Sequence, residues 1–244
     1  MAREHIEFVN IHEMDWQPVS IPGFSGELMQ KLLSMDEESG ASTSLLYIPS
    51  GATHEGGAYS VSIEALLLEG TVEINTTEIS DLTHVYIEKH VGLNFIQFVS
   101  GCTFLWMTEG ALHLVNDDAT ISDKEIVFTK TAEIPWQGTI TPGFPTGAMR
   151  KSLYQNPETG ASSWLLGVLP QFHDDRYEIH PVMEEAFQIH GEMGTSRGDF
   201  KQGSYFWRPA EIPHGDFSTE WGCLTFFRTD GPLKTTYVTK EDLV

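Results

Sequence analysis

The chain reads Tyr177-Glu-Ile-His-Pro-Val-Met-Glu-Glu-Ala-Phe-Gln-Ile-His-Gly191 in the part of its sequence that most restricts the fold. Side chains alternate between the two faces of an extended strand, so Glu178 and His180 are predicted to point to the same side. A bend near Pro181 lets Glu184 join them. The segment therefore predicts extended chain on which two carboxylates and an imidazole converge.

The sequence also contains an internal duplication. Three motifs of the first half recur at an offset of 120 residues, and after a one-residue insertion further positions recur at an offset of 121. Repeated Trp, Cys, Gly and Pro at fixed offsets indicate two copies of one domain. The first set is Trp16-Gln17, Ile21-Pro22-Gly23-Phe24 and Gly40-Ala41-Ser42, repeated as Trp136-Gln137, Thr141-Pro142-Gly143-Phe144 and Gly160-Ala161-Ser162. The second set pairs Pro49, Glu64, Gly70, Gly101-Cys102 and Gly110 with Pro170, Glu185, Gly191, Gly222-Cys223 and Gly231.

Both copies are predicted to be all-β. Short apolar segments bounded by Gly, Pro, Asn or Asp are typical of strands joined by tight turns, and 22 Gly and 12 Pro residues fit many turns. One antiparallel barrel or sandwich per copy follows, with Ser25–Leu33 as the one candidate helix. The predicted organisation is an N-terminal barrel at residues 1–112, a polar, acidic linker at 113–124 and a C-terminal barrel at 125–244.

The charge of the chain excludes several kinds of partner. Asp and Glu total 35 against 14 Lys and Arg, and the net charge of -21 opposes contact with nucleic acid or an anionic membrane. No segment approaches the roughly 20 apolar residues of a membrane-spanning helix, and the first residues lack the basic flank and apolar run of a signal peptide. We therefore expect a cytoplasmic protein. Cys102 and Cys223 hold matching positions, which predicts two buried core thiols and no disulfide.

A second segment, Gly203-Ser-Tyr-Phe-Trp-Arg-Pro-Ala-Glu-Ile-Pro-His214, supplies another imidazole after a Pro-rich turn. Together with the first segment it resembles the two motifs of the cupin superfamily, Gly-x5-His-x-His-x3or4-Glu-x6-Gly and Gly-x5-Pro-x-Gly-x2-His. This resemblance implies two tandem cupin domains, each a double-stranded β-helix or jelly-roll barrel. The matching residues are His180, Glu184 and Gly191 in the first motif and Gly203, Pro209 and His214 in the second.

Two positions depart from the cupin motifs. Glu178 stands at the first His, and Glu211 stands at the second Gly of the second motif. Because Glu is also a metal ligand, the resemblance still implies one bound metal ion, held by Glu178, His180, Glu184 and His214. Two imidazoles and two carboxylates suit a divalent cation, and Fe, Mn, Zn and Ni all qualify.

A narrower resemblance spans both halves of the chain, which is similar to the cupin domain of ChrR-type proteins. That family includes zinc-binding anti-sigma factors, and similar cupins include acetylacetone-cleaving dioxygenases. This chain lacks the helical zinc module, with a His and two closely spaced Cys, of such an anti-sigma factor, so sigma-factor binding is not expected. The residues of the resemblance are Trp136, Pro142-Gly143-Phe144, Thr159-Gly160-Ala161-Ser162, Glu184-Glu185 and Gly222-Cys223.

The first copy is an internal control for the metal prediction. Its positions equivalent to the four candidate ligands are Gly57, Tyr59, Ile63 and Leu93, which do not form a ligand set. Apolar residues at two of these positions predict a barrel interior filled by side chains. Glu185 has an equivalent in this copy, Glu64, and alternation turns it away from Glu184, so a structural role is predicted for it.

Three functions are compatible with these features. The leading hypothesis is an enzyme of the oxygenase type that uses one divalent metal ion in the C-terminal barrel on a small carbonyl-containing or enolisable molecule. The second is a non-catalytic metal- or ligand-binding sensory protein, and the third is an assembly stabilised by duplication without a metal. The sequence assigns no catalytic residue. A homodimer is the expected assembly.

Overall fold

The computed structural model describes residues 3–115, 117, 120–138 and 142–243. Thr141 of the second Pro-Gly-Phe motif and residues 116, 118 and 119 of the predicted linker lie outside the described residues. The regular structure is almost entirely β, with short 3-10 helices at Ile11–Glu13, Thr131–Glu133 and Lys240–Leu243. The all-β prediction is therefore confirmed. In the described part of the chain, no helix is long and apolar enough to cross a membrane.

Twenty-five strands follow one another along the described chain. Those of the first half are β1 (Ile6–Asn10), β2 (Gln17–Val19), β3 (Phe24–Ser25), β4 (Leu28–Met35), β5 (Ser42–Ile48), β6 (Thr53–His54), β7 (Ala58–Tyr59), β8 (Ile63–Glu69), β9 (Val72–Ile74), β10 (Thr77–Ile79), β11 (Thr83–Ile87), β12 (Ile96–Phe98), β13 (Cys102–Thr108) and β14 (Leu114–Val115). Those of the second half are β15 (Val127–Lys130), β16 (Gln137–Gly138), β17 (Ala148–Gln155), β18 (Ser162–Val168), β19 (Phe172–Ile179), β20 (Glu184–Thr195), β21 (Gly198–Lys201), β22 (Ser204–Arg208), β23 (His214–Thr219), β24 (Cys223–Thr229) and β25 (Thr236–Val238).

The chain divides into two compact units. The first comprises Met1–Glu4 and Met14–Glu133, and the second comprises His5–Glu13 and Ile134–Val244. In the first unit, a seven-stranded sheet has the order β15-β11-β8-β13-β5-β4-β2, accompanied by a three-stranded sheet, β10-β9-β12. Its core is one continuous apolar cluster that includes Tyr59, Ile63 and Leu93. The prediction that apolar side chains fill this barrel is confirmed.

The second unit is built on one large sheet. Its main path is β16-β17-β18-β24-β20-β23-β19-β25, with β22 pairing with β20 and β1 pairing with β22. The buried apolar residues fall into smaller clusters, one around Ala148, Val168 and Cys223 and one around Ala186, Phe200 and Phe206. The sheet therefore surrounds an interior that apolar side chains do not fill.

The division between the units differs from the predicted boundaries at residues 112 and 125. Strand β1 lies in the second unit, where it pairs with β22, and β15 lies in the first unit, where it pairs with β11. Part of the predicted linker belongs to the first unit too, because β14 pairs with β7 and Leu114 packs on the apolar core. Hydrophobic burial and pairing at sheet edges determine the unit to which each of these segments belongs. The amino-acid composition of a segment encodes neither.

The predicted helix at Ser25–Leu33 is wrong. Strands β3 and β4 occupy this stretch, and β4 pairs with β5 along its length, including Met29 with Tyr47. Leu28 and Leu33 are buried on this strand while Leu32 is exposed. Long-range pairing with a neighbouring strand has overridden the local helical preference of Leu, Met, Lys and Gln.

Several repeated residues have the same structural role in both units. Cys102 and Cys223 are buried free thiols, as predicted. Gly70 and Gly191 both have a positive φ, and a Cβ at either would overlap a backbone carbonyl, that of Gly101 or Gly222. Only glycine combines this conformation with so close an approach.

Candidate metal centre

The four predicted ligands lie on neighbouring strands of the second unit. Glu178 is near the end of β19, Glu184 begins β20 and His214 begins β23, while His180 directly follows β19. Glu178 and His214 are paired across the β19–β23 ladder. The turn between β19 and β20 brings Glu184 back beside them, as the bend near Pro181 predicts.

The ligand atoms of these residues are close together. Single ligand atoms of Glu178, His180 and His214 all lie within 4.8 Å of one another. The Nε2 of His180 is 3.5 Å from Glu178 Oε2 and 3.8 Å from Glu184 Oε1, and the Nε2 of His214 is 3.5 Å from Glu184 Oε2. Donors that each lie about 2.1 Å from one metal ion are separated by about 3.0–3.4 Å. The observed separations approach this range.

Backbone carbonyls orient both imidazole rings. His180 Nδ1 lies 3.1 Å from the carbonyl oxygen of Lys234, and His214 Nδ1 lies 3.0 Å from that of Ile212. A proton on Nδ1 that is donated to each carbonyl leaves the Nε2 lone pair directed at the cluster. Metal-binding histidines are held in this way by hydrogen bonds from the second ring nitrogen.

Two buried polar atoms of the cluster lack hydrogen-bond partners among the described residues, His180 Nε2 and Glu184 Oε2. The side chains of His180, Glu184 and His214 are each about 95% buried. Burying polar atoms without a partner costs free energy, and such atoms in a native protein require an explanation. A divalent cation would satisfy both atoms at once, so these residues fit a metal ion.

The protonation of the cluster is strongly perturbed without a cation. Burial opposes a charge on His180, but the carboxylates of Glu184 and Glu178 outweigh burial and raise the pKa of His180 to about 9. Burial raises the pKa of Glu184, and burial together with the charges of Arg208 and His180 lowers the pKa of His214 well below its usual value. The buried carboxylates thus attract positive charge, which a proton on His180 supplies only in part.

A cavity of about 420 Å³ opens beside the cluster. This volume is within the range of about 300–1,000 Å³ typical of small-molecule sites. Its wall is mostly aromatic and aliphatic, and the polar residues that line it besides the cluster are two arginines, one lysine, one tyrosine and three threonines. The residues that line it include Phe8, Phe144, Arg150, Trp164, Leu166, Phe172, Met193, Phe200, Phe206, Arg208, Phe217, Phe227 and Tyr237, together with all four predicted ligands.

Arg208 is the charged residue nearest to the cluster. Its side chain is buried, donates to Glu7 Oε1 at 2.7 Å and lies 4.0 Å from Glu184 Oε2. Arg208 lines the cavity, whereas its strand neighbours Tyr205 and Trp207 do not.

Several cavity residues could not be anticipated from the motifs. Phe8, and Glu7 that pairs with Arg208 behind the wall, come from β1, a strand of the first repeat that lies in the second unit. Arg150 and Tyr237 lie on β17 and β25, outside both cupin-like segments. One signal in the sequence could have identified Arg150. The equivalent residue of the first repeat is Gln30, so this positive charge is present in the second copy alone.

Glu185 points away from the cluster, as predicted. Its carboxylate accepts hydrogen bonds from Tyr205 at 2.7 Å and Arg228 at 2.9 Å. The equivalent Glu64 of the first unit is hydrogen-bonded to His84, which occupies the position equivalent to Tyr205. The two buried carboxylates therefore belong to the shared scaffold.

The sequence of this chain also matches a known protein family. The family described as "Domain of unknown function (DUF4437)" matches residues 7–236. The chain belongs to the DUF4437 family. No curated protein sequence matches this DUF4437 chain significantly.

Solved structures similar to this DUF4437 protein are cupin-fold proteins. A candidate dioxygenase from Nostoc punctiforme PCC 73102 has a TM-score of 0.84 at 18% identity, covering 98% of this chain and 86% of its own. Oxalate decarboxylase of Bacillus subtilis, which contains Mn(II) centres, has a TM-score of 0.63 at 12% identity, with coverage of 98% and 81%. Salicylate 1,2-dioxygenase of Pseudaminobacter salicylatoxidans has a TM-score of 0.60 at 11% identity, with coverage of 81% and 74%. The predicted jelly-roll cupin fold is confirmed.

Proposed function

We propose that this protein is a bicupin enzyme that binds one divalent metal ion through Glu178, His180, Glu184 and His214. One observation carries the proposal: two imidazole Nε2 atoms and two carboxylates converge at a cavity of about 420 Å³, and two of their buried atoms lack a hydrogen-bond partner among the described residues. A structural site would need no substrate-sized space. The cavity therefore favours a site that acts on a small molecule.

The substrate class we propose is a small carbonyl-containing or enolisable molecule, and the reaction class is oxygenation. The bound metal ion would supply Lewis acidity and, for Fe or Mn, redox chemistry with dioxygen. The similarity to a candidate dioxygenase and to salicylate 1,2-dioxygenase supports this reaction class. Metal identity is left to measurement, since this donor set accepts Fe, Mn, Zn or Ni.

The residues of this chain have separable roles in such a site. The aromatic wall excludes water from the reacting atoms, while Arg208 stabilises the negative charge of Glu184 from 4.0 Å. Tyr237 lines the cavity and is paired with Glu178 in the β19–β25 ladder. Burial, reinforced by the Glu178 charge, raises the pKa of Tyr237 to about 12, so the phenol keeps its proton and can donate it.

Elemental analysis tests the metal site. Purified protein should contain one metal ion per chain, and the His180→Ala, His214→Ala double variant should contain almost none. The matched control is a His173→Ala, His190→Ala double variant, which removes two exposed histidines of the same unit. Equal metal content in the wild type and the ligand variant, or no metal in either, would overturn the proposal.

Oxygen consumption tests the reaction class. Metal-loaded protein should consume dioxygen with members of a panel of β-diketones, hydroxyaryl ketones and hydroxyaryl carboxylates, and the ligand variant should not. Metal binding without oxygen consumption on any panel member would instead support a non-catalytic sensory protein resembling the ChrR cupin domain.

A further inference from the structure

Arg150 is the cavity arginine that the metal cluster does not use. It lies on β17, paired with Leu166 of β18, and both residues line the cavity. The structure shows no hydrogen bond or ion pair from this guanidinium to another described residue, and its Nε is buried without a partner. Arg208, by contrast, is paired with Glu7. The cavity therefore contains one arginine whose charge is compensated locally and one whose charge is not.

The guanidinium of Arg150 is held in place by an aromatic stack. It lies 4.0 Å from the centre of the Trp164 ring, which stacks at 5.4 Å on Phe227 with an interplanar angle of 3°. Cation–π contact fixes the plane of a guanidinium and leaves its edge available for hydrogen bonds. All three side chains line the cavity.

The charge of the occupied site adds to this argument. Two carboxylates, Glu178 and Glu184, would neutralise a divalent cation, and Glu7 pairs with Arg208 as well as with Arg197. Arg150 and Lys234 then add positive charge to a cavity whose walls are mostly apolar. Burial lowers the pKa of Arg150 to about 10, although Glu184 opposes this, so the side chain is charged at neutral pH. Arg150 is half-buried, and a partly buried charge without an ion-pair partner is still costly, so a ligand of opposite charge lowers that cost.

We infer that the substrate is an aromatic carboxylate whose carboxylate group pairs with Arg150 and whose ring lies among the aromatic side chains. This inference rests on the proposed function and narrows its substrate class. Arginine matches a carboxylate with two parallel hydrogen bonds, and the apolar wall suits a ring better than an aliphatic polyanion. The first repeat has Gln30 and Ser44 at the positions of Arg150 and Trp164, so this pair belongs to the second copy alone.

Isothermal titration calorimetry with benzoate and its neutral isostere benzamide tests the inference at pH 7.5. Wild-type protein loaded with Mn should bind benzoate more tightly than benzamide. Arg150→Met should weaken benzoate binding by about tenfold to a hundredfold, the range for a hydrogen bond to a charged group, and leave benzamide binding nearly unchanged. Arg150→Lys keeps the charge but loses the planar set of donors, so its benzoate affinity should lie between those of wild type and Arg150→Met.

The matched control is Lys151→Met, which removes the same charge from the next residue. The Lys151 ammonium lies 4.8 Å from the centre of the Trp136 ring and does not line the cavity. Benzoate affinity should be unchanged in this variant. A benzoate affinity that is equal in Arg150→Met and wild type, or a wild type that binds neither benzoate nor naphthoate at millimolar concentration, would overturn the inference.

Metal content measured on the same samples separates the two failures. Metal-loaded protein without any effect of Arg150 on benzoate contradicts this inference and leaves the metal site intact. Protein that binds benzoate through Arg150 but never retains a metal ion contradicts the proposed function and supports the carboxylate subsite. If Arg150→Met lowers metal content without a selective loss of benzoate, Arg150 serves only to balance the Glu184 charge, and the inference fails.

Discussion

The two units use one scaffold with opposite interiors. At the positions of Glu178, His180, Glu184 and His214, the first unit has Gly57, Tyr59, Ile63 and Leu93, and the last three belong to its apolar core. The difference extends along the wall of the cavity. Met193, Thr195, Phe200, Phe206 and Arg208 correspond to Val72, Ile74, Ile79, Val85 and Ile87, which are all buried in the first core. The first unit thus shows how the equivalent strands pack when their inward side chains are apolar.

The features that both units share identify what the scaffold itself requires. In each unit a lysine ammonium lies 4.8 Å from the ring of a repeated tryptophan, Lys31 over Trp16 and Lys151 over Trp136. Residues that differ between the units are therefore more informative about function than residues that the units share. The following predictions test that distinction.

The largest effect is expected when the interior of the first unit is transferred to the second. Glu184→Ile combined with His214→Leu should reduce bound metal from one ion per chain to almost none, by elemental analysis. Replacing buried polar groups with apolar ones should also raise the free energy of unfolding of metal-free protein by about 1–3 kcal/mol in urea titrations with EDTA. Retention of a full metal complement would contradict the ligand assignment.

The reverse transfer is the control. Ile63→Glu combined with Leu93→His introduces polar groups among the apolar side chains of the first core. It should destabilise the protein by about 3 kcal/mol or more, because the donors enter a packed core with no room to rearrange. A stable variant with a second metal ion would show that the first unit kept its site in latent form.

The shared buried carboxylates should have equal and substantial effects. Glu64→Leu leaves His84 without its 2.6 Å hydrogen bond, and Glu185→Leu removes the acceptor of Tyr205 and Arg228. Each substitution should lower the free energy of unfolding by about 3 kcal/mol in urea titrations, since one partner of a buried pair is lost. Metal content should not change in either variant. If only one of the two substitutions lowers the free energy of unfolding by less than about 1 kcal/mol, the two carboxylates do not have equivalent roles.

His54 of the first unit should contribute to the pH dependence of stability. Burial lowers the pKa of His54 to about 4. The folded state therefore favours neutral His54, and its stability contribution is present above pH 6.5 and is lost as the pH falls towards 4. Because His54 is partly exposed, we expect a loss of about 1–2 kcal/mol after discounting for solvent screening. Urea titrations from pH 7 to 4 should show a smaller decrease for His54→Gln than for wild type or for His113→Gln, which alters an exposed histidine. Parallel curves would contradict this assignment.

The smallest effect concerns a departure from the cupin motif. Glu211 has a φ of 67°, so the residue at the motif's glycine position adopts the left-handed conformation. Glu211→Gly should raise the free energy of unfolding by about 0.5–1 kcal/mol. Glycine relieves about 1–2 kcal/mol of strain from the left-handed conformation, and this exceeds the free-energy cost of the extra conformational entropy that it gives the unfolded chain. Thermal unfolding checks this, with Glu211→Ala as the control that keeps the strain and should show no gain.

The sequence predicted the parts of this protein that depend on local periodicity and on the repeat. Alternation along β19 placed Glu178 and His180 on one face, and the repeat separated Glu185 from the candidate ligands. Whether the four candidates bind a metal stays a prediction.

Long-range pairing set the limits of prediction from sequence. Leu28–Met35 has the composition of a helix, and only its pairing with β5 makes it a strand. Phe8 reaches the cavity because β1 pairs with β22, nearly two hundred residues later in the chain. No local sequence pattern encodes such a pairing. It is stabilised by hydrogen bonds to the unpaired backbone groups at the edge of a sheet formed by distant residues.

The positions of β1 and β15 have a consequence for the history and the engineering of the chain. The first strand of each repeat completes the sheet of the unit that contains the rest of the other repeat. This is the connectivity that remains when a domain-swapped homodimer becomes one covalent polypeptide. A cut in front of residue 126 would therefore yield two half-chains, neither of which contains a whole barrel, and they should regain the fold only when mixed. The duplicated halves are thus mutually dependent, and the sheet that carries the four candidate ligands is completed by a strand from the half that lacks them.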